Sequence, residues 1–207
     1  MNRAFKRFSL AAALALSASP AFAHHVMGGR MVETFGEGLL SGLAHPVIGL
    51  DHFAAVVAVG CLAAVHRAGP GLAIGYVAAM IAGVALHLQG TTVLGAEILV
   101  ALSVIALGAV LLLRRQMSAG IALALFAVAG LIHGYALGES IYGAEPTPLT
   151  AYLLGLAVVQ STVALGAMSV ARLLAARAAD VSPLRLVGAG IAGIGLAVLM
   201  QQIIPGV

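Results

Sequence analysis

Six apolar runs divide the chain, at roughly 47–65, 71–88, 93–113, 119–138, 149–171 and 186–204. Each is close to the ~20 residues that a helix needs to cross the hydrocarbon core of a bilayer. Backbone in lipid must satisfy its own hydrogen bonds, so apolar runs of this length are restricted to helices. Only 8% of the 207 residues are charged and 62% are hydrophobic, against about 25% charged in a soluble domain. The expected fold class is therefore an all-α integral membrane protein, with six transmembrane helices forming one domain over 47–207. The longest loops, 139–148 and 172–185, leave no room for a nucleotide-binding domain, and no Gly-x-x-x-x-Gly-Lys-Ser/Thr run occurs. Cys61 is the single cysteine, which excludes an intrachain disulfide and a cysteine-based zinc site.

The first residues read as a secretory signal. Arg3, Lys6 and Arg7 form its charged region, Phe8 to Ala18 its apolar one, and Ala21-Phe22-Ala23 an A-x-A cleavage site. Removing 1–23 takes away three of the positive charges, so the basic pI of about 9.5 belongs largely to the precursor and is no sign of nucleic-acid binding. The segment 24–46 is expected to be an extracytoplasmic lead-in, or in part a short interfacial helix. It begins with His24 and His25, which with Met27 suit capture of Ni²⁺ or Cu²⁺, or else are an ordinary polar tail.

A chain that starts outside crosses inward first and ends outside after six passes. Arg67, Arg114, Arg115, Arg172, Arg177 and Arg185 then all fall in cytoplasmic loops or at their edges, and only Arg30 lies outside. The positive-inside rule and the signal segment thus agree on an inner-membrane protein with both mature termini periplasmic.

The polar residues inside the runs are few and unevenly distributed. His52, Glu97 and His133 each lie about five residues from the outer end of their helix, roughly 7–9 Å deep. His87 ends the second run, Glu139 follows the fourth, and Gln160 lies nearer the midplane. A lone histidine in a helix usually makes a packing hydrogen bond. Ionisable groups from three helices at one depth are harder to explain that way, because each is costly alone in lipid. Imidazole with carboxylate suits Ni²⁺, Zn²⁺ or Co²⁺.

The densest group is His45-Pro46-Val47-Ile48-Gly49-Leu50-Asp51-His52. Pro46 suits the first position of a helix, which puts His45 at its mouth. His52 follows seven residues on, about 10 Å deeper on a straight helix, and Asp51 points about 100° away from it. Either Gly49 breaks the helix and folds the two imidazoles together, or they are successive stations on one path. The plain structural alternative is a capping His45 and an Asp51–His52 pair that ties helices together.

This stretch resembles the first-helix signature of the HupE/UreJ family of bacterial nickel permeases, His-Pro-x-x-Gly-x-Asp-His followed by an apolar run ending in Val-Gly. His45, Pro46, Gly49, Asp51, His52 and Val59-Gly60 all match. A second signature of that family, Phe-His-Gly-x-Ala-His-Gly-x-Glu, resembles the end of the fourth run. His133, Gly134, Ala136 and Gly138 match it, Ile132 and Leu137 replace the aromatic residue and the second histidine, and Glu139 comes one position early. The resemblance implies a six-helix inner-membrane protein that admits Ni²⁺ for hydrogenase or urease, with the histidines and aspartate of the first signature essential. Delivery to cytoplasmic nickel chaperones is expected with it, and since no His-Glu-x-x-His or Gly-x-Ser-x-Gly occurs, no enzymatic activity and no organic cofactor are expected. Asp51, His52 and His133 are the expected main metal site, with His45 receiving the ion and His24 and His25 gathering it. His87, Glu97, Glu139 and Gln160 are path or supporting residues. A cobalt permease is the nearest alternative. From another class, a haem-b electron-transfer protein would use His52 and His133 as axial ligands. Gly71 and Gly75, Gly155, Gly166, and the run Gly188, Gly190, Gly193 and Gly195 are expected to mark close helix contacts.

Overall fold

The computed structural model describes residues 30–177 and 182–204. The expected signal segment, 1–23, and His24 and His25 lie outside the described residues. Every regular element among those described is helical. In order they are α1 (Phe35–Ile48), α2 (Leu50–Ala63), α3 (Gly69–Leu88), α4 (Ala96–Leu112), α5 (Ala119–Gly138), a 3₁₀ turn (Glu139–Ile141), α6 (Pro146–Arg177) and α7 (Ser182–Ile203). Helices α3, α5, α6 and α7 are long and apolar enough to cross a membrane. The pair α1 and α2 counts as a fifth span if its bend of 78° is taken as a break within one crossing. Helix α4 is apolar but has only 17 residues. The protein is thus an all-helical, multi-pass membrane protein with four to five spans by length and composition, against the six expected from the runs.

The first helical segment begins earlier than the apolar pattern predicts. Thr34 and Glu37 form a capping box at the start of α1, and Arg30 pairs with Glu37. These bonds satisfy first-turn N–H groups that have no partner within the helix. Pro46 is therefore not a first helical residue. It sits in the last turn of α1, and the chain breaks three residues later at Gly49, whose φ of −70° and ψ of 100° are extended.

Helix α2 is the centre of the bundle. All but three of its fourteen residues are buried, and it packs against α3, α4, α5, α6 and α7. Its two ends carry complementary charge. Asp51 lies in the first turn and accepts the backbone N–H of His52 at 2.8 Å. At the other end Arg172 of α6 donates to the carbonyls of Ala64 and His66, both at 3.2 Å. Negative charge at a helix start and positive charge at its end both oppose the helix dipole favourably.

Close backbone approaches fix how the helices run. A Cβ on Gly130 or Gly134 of α5 would strike the carbonyls of Tyr76 or Met80 of α3, so those two helices lie side by side and parallel. Gly42 of α1 meets Tyr152 and Leu156, and Gly60 of α2 meets Ala164, so α6 runs alongside first α1 and then α2, in the same chain direction. Gly108 and Gly188 bring α4 and α7 together antiparallel. Gly155, Gly188 and Gly195 make the close contacts expected of them. Gly71, Gly166, Gly190 and Gly193 do not, since nothing lies within 4 Å of the space a Cβ would take, and Gly75 meets only a Leu123 side chain. A run of small residues marks contact only on the face turned to a neighbour.

Two substitutions separate these classes. Gly134→Ala forces α3 and α5 apart and should lower stability by about 1–3 kcal/mol, the usual range for overpacking. Gly166→Ala meets open space and should be neutral or slightly stabilising through better helix propensity. Thermal unfolding of the two purified variants in detergent checks the contrast, and equal melting temperatures would contradict it.

Candidate functional site

The break at Gly49 decides the geometry. On a straight helix His45 and His52 would be about 10 Å apart along the axis. The bend brings their ring centroids to 6.3 Å. A Cβ at Gly49 would press on Asp51 Oδ1, His45 O and His52 Cδ2, all at 3.3–3.4 Å, so the joint is packed tightly against the groups it gathers. His45, Asp51 and His52 are each at most 4% exposed.

His133 of α5 meets this group from across the bundle and is wholly buried. Its Nδ1 lies 2.9 Å from His52 Nδ1, and its Nε2 lies 2.8 Å from the Ser103 hydroxyl of α4. Ser103 donates its one proton to the carbonyl of Val100 at 2.8 Å. The rest follows from proton count. His133 Nε2 donates to Ser103, so neutral His133 accepts at Nδ1, and His52 donates from its own Nδ1. Neutral His52 is left with its lone pair on Nε2, the nitrogen that remains for a ligand. Metal-binding histidines are held this way, with the other ring N–H bonded to an acceptor that fixes tautomer and orientation. The Asp51 carboxylate is 3.8 Å from His52 Nδ1 and adds negative charge beside it. No group of three or more His, Cys, Asp or Glu residues converges as a metal cluster among the described residues.

Ser103 was not foreseen. The signal available was a lone hydroxyl in an otherwise apolar run, and a serine that bonds its own helix gives the same signal. Glu97 lies in the first turn of α4, six residues and about 9 Å along the helix from Ser103, towards the loop end. His87, near the end of α3, has its ring 4.6 Å from that of Tyr135 and 5.7 Å from that of Tyr142. Tyr135 fastens the adjoining loop, accepting from Val93 N–H at 2.9 Å and donating to Thr91 O at 2.7 Å. Glu139 opens the 3₁₀ turn and is exposed. Gln160 is 1% exposed, in the middle of α6. The structure thus brings together His45, Asp51, His52 and His133, and keeps His87, Glu97 and Glu139 at the loop end of the helices. His52 and His133 touch through a hydrogen bond, which leaves no room for a porphyrin between them.

The HupE / UreJ protein family matches residues 12–198. No curated protein and no solved structure matches the chain. A family match over nearly the whole length means that the chain belongs to the HupE/UreJ family.

Ser103→Ala tests the proton order. In the parent, ¹⁵N spectra of labelled histidines should show the Nε2–H form for His133 and the Nδ1–H form for His52. In the variant His133 loses its fixed acceptor, and its ring nitrogens should move towards averaged shifts. Unchanged spectra would show that Ser103 does not set the tautomers.

Proposed function

We propose that this chain is an inner-membrane uptake permease for a divalent transition metal, Ni²⁺ as the preferred cargo and Co²⁺ the nearest alternative. Membership of a family associated with nickel and cobalt transport supports this reading. The observation that carries it is the break at Gly49, which gathers His45, His52 and Asp51 against His133 inside an apolar bundle. Buried ionisable groups in membrane helices face cargo paths as a rule. Imidazole nitrogen with a carboxylate nearby is a donor set suited to Ni²⁺.

In this reading α2, α4 and the four longer helices make six crossings, with the arginine-bearing ends of the helices cytoplasmic. His24 and His25, released at the mature N-terminus by cleavage after Ala23, gather the ion outside. His45 receives it and passes it to His52 Nε2. Asp51 balances the charge and His133 holds the His52 ring, so the part played by His133 is to position rather than to bind. His87, Glu97 and Glu139 line the approach. The chain is no enzyme, takes no organic cofactor and hands the ion to cytoplasmic nickel-binding partners of hydrogenase or urease maturation.

The driving force is the membrane potential. A divalent cation moving to the negative side gains about 4.6 kcal/mol per 100 mV, roughly a 2,000-fold accumulation.

Proteoliposomes with an imposed potassium diffusion potential and no ATP test this directly. The parent should take up radioactive Ni²⁺, and the rate should rise with the potential. His52→Ala should abolish high-affinity uptake while the protein still inserts. Potential-independent uptake, or parental uptake by His52→Ala at limiting metal, would reject the mechanism. Replacing His24 and His25 by Ala should slow uptake in cells only at scarce metal, and a defect that persists at saturating metal would make them part of the path.

A further inference from the structure

Among the enclosed polar atoms without a hydrogen-bond partner in the described residues are those of Tyr76 and Gln160. The Tyr76 hydroxyl, and both the Oε1 and Nε2 atoms of Gln160, are fully enclosed and hydrogen-bond to nothing among the described residues. Tyr76 is 0% and Gln160 1% exposed. Such groups are rare in folded proteins, and those that persist call for a ligand, an ordered water or a function. Tyr152 is an internal contrast: it is equally buried, yet its hydroxyl donates to Leu137 O at 2.9 Å.

Helix register puts both side chains at one level. Tyr76 of α3 lies beside Gly130, one turn from the Met80–Gly134 contact that adjoins His133, in the direction of the arginine-bearing ends. Gln160 of α6 lies one turn before Ala164, the neighbour of Gly60, which brings it level with Val56, one turn beyond His52 in the same direction. Helices α3 and α6 pack against each other. The Tyr76 ring is 6.4 Å from that of His133.

We propose that Tyr76 and Gln160 form an inner station, one helical turn beyond the histidine pair, that holds a divalent cation through its hydration water. The proposal deepens the permease reading and rests on it for the identity of the cargo. The chemistry differs from that of the outer group. A neutral phenol and an amide are oxygen donors without charge, and each can also accept hydrogen bonds from the water around an aqua ion. They bind a transition metal more weakly than imidazole and carboxylate do, so an ion leaving His52 regains water at this level and is not trapped. Conduction needs binding sites that can be left as well as entered, and a strong site followed by a weak one meets that need.

Tyr76→Phe and Gln160→Leu remove the donors at nearly constant volume. Each should lower the maximal rate of potential-driven Ni²⁺ uptake about tenfold and leave the half-saturation concentration unchanged, because the outer group is intact. Each should also leave the melting temperature the same or higher, since a buried group without a protein partner is lost. Gln160→Asn keeps an uncharged amide oxygen and should retain more rate than Gln160→Leu. Parental maximal rates in both Tyr76→Phe and Gln160→Leu would overturn the proposal.

A second measurement is independent of nickel. Hydroxyl radicals generated by X-rays from bound water should oxidise Tyr76 in the parent well above Tyr152. Equal labelling of the two tyrosines would mean a dry layer and would overturn the inner station whether or not the chain moves metal. Strong Tyr76 labelling in a protein that moves no Ni²⁺ would support the wet layer and reject the permease reading instead.

Discussion

The hydrogen bond between His52 and His133 imposes the main demand on the rest of the structure. Neither ring can be left unpaired in a low-dielectric bundle, where a polar group without a partner is costly. The two lie on different helices, so those helices must be held at a separation that an imidazole pair can bridge. Glycines fix the neighbouring helix pairs that hold them there. Gly130 and Gly134 let α5 lie on the backbone of α3, while Gly60 does the same for α2 and α6. In lipid the apolar surfaces gain little from meeting one another, so close packing and internal hydrogen bonds must supply the association. The polar centre and the small-residue seams therefore depend on each other.

Much of this was legible in the chain. The apolar runs gave the helices, and the family signature marked His45, Asp51 and His52 as a group. What could not be read was whether Gly49 broke the helix. Pro46 looked like a helix start because proline favours that position, yet Thr34 and Glu37 already start a helix eleven residues earlier. Their capping box lies in a stretch whose composition fits either a lead-in or a short interfacial helix, and the structure makes it a helix. Glu97 and His133 share a depth only when both are counted from the ends of apolar runs. Helix α4 begins only at Ala96, so Glu97 is in its first turn and Ser103 is the residue that meets His133. Run ends and helix ends differ by a few residues, and a few residues amount to one turn. The glycines show the same gap: Gly130, Gly134 and Gly138 sit at a four-residue spacing and all face α3, whereas Gly71 and Gly75, equally well spaced, find no backbone to approach.

The arrangement of charge on α2 has a further effect on the site. Asp51 and Arg172 sit at opposite ends of this helix, and each satisfies backbone groups there. The central helix is thereby fixed along its axis, while α1 is joined to it only through the extended Gly49. His45 and His52 stand on either side of that joint. One histidine belongs to the rigid pillar, and the other to a segment packed mainly along the first turns of α6.

The pairing of distant helices sets an order of assembly. His133 lies 81 residues after His52, and at about 5–20 residues per second the ribosome takes roughly 4–16 s to cover that distance. During that interval α2 must enter the membrane with its imidazole unpaired, and its close backbone neighbour, α6, has not been made. The nascent chain therefore cannot lock its helices two by two as they emerge. Helix α2 waits for α5 and α6, and the histidine that completes the centre is also among the last parts needed to make the centre stable. Truncation before α5 would leave a chain that is apolar enough to remain in the bilayer but has an uncompensated ionisable group at its core, the kind of defect by which membrane quality control can recognise an unfinished protein.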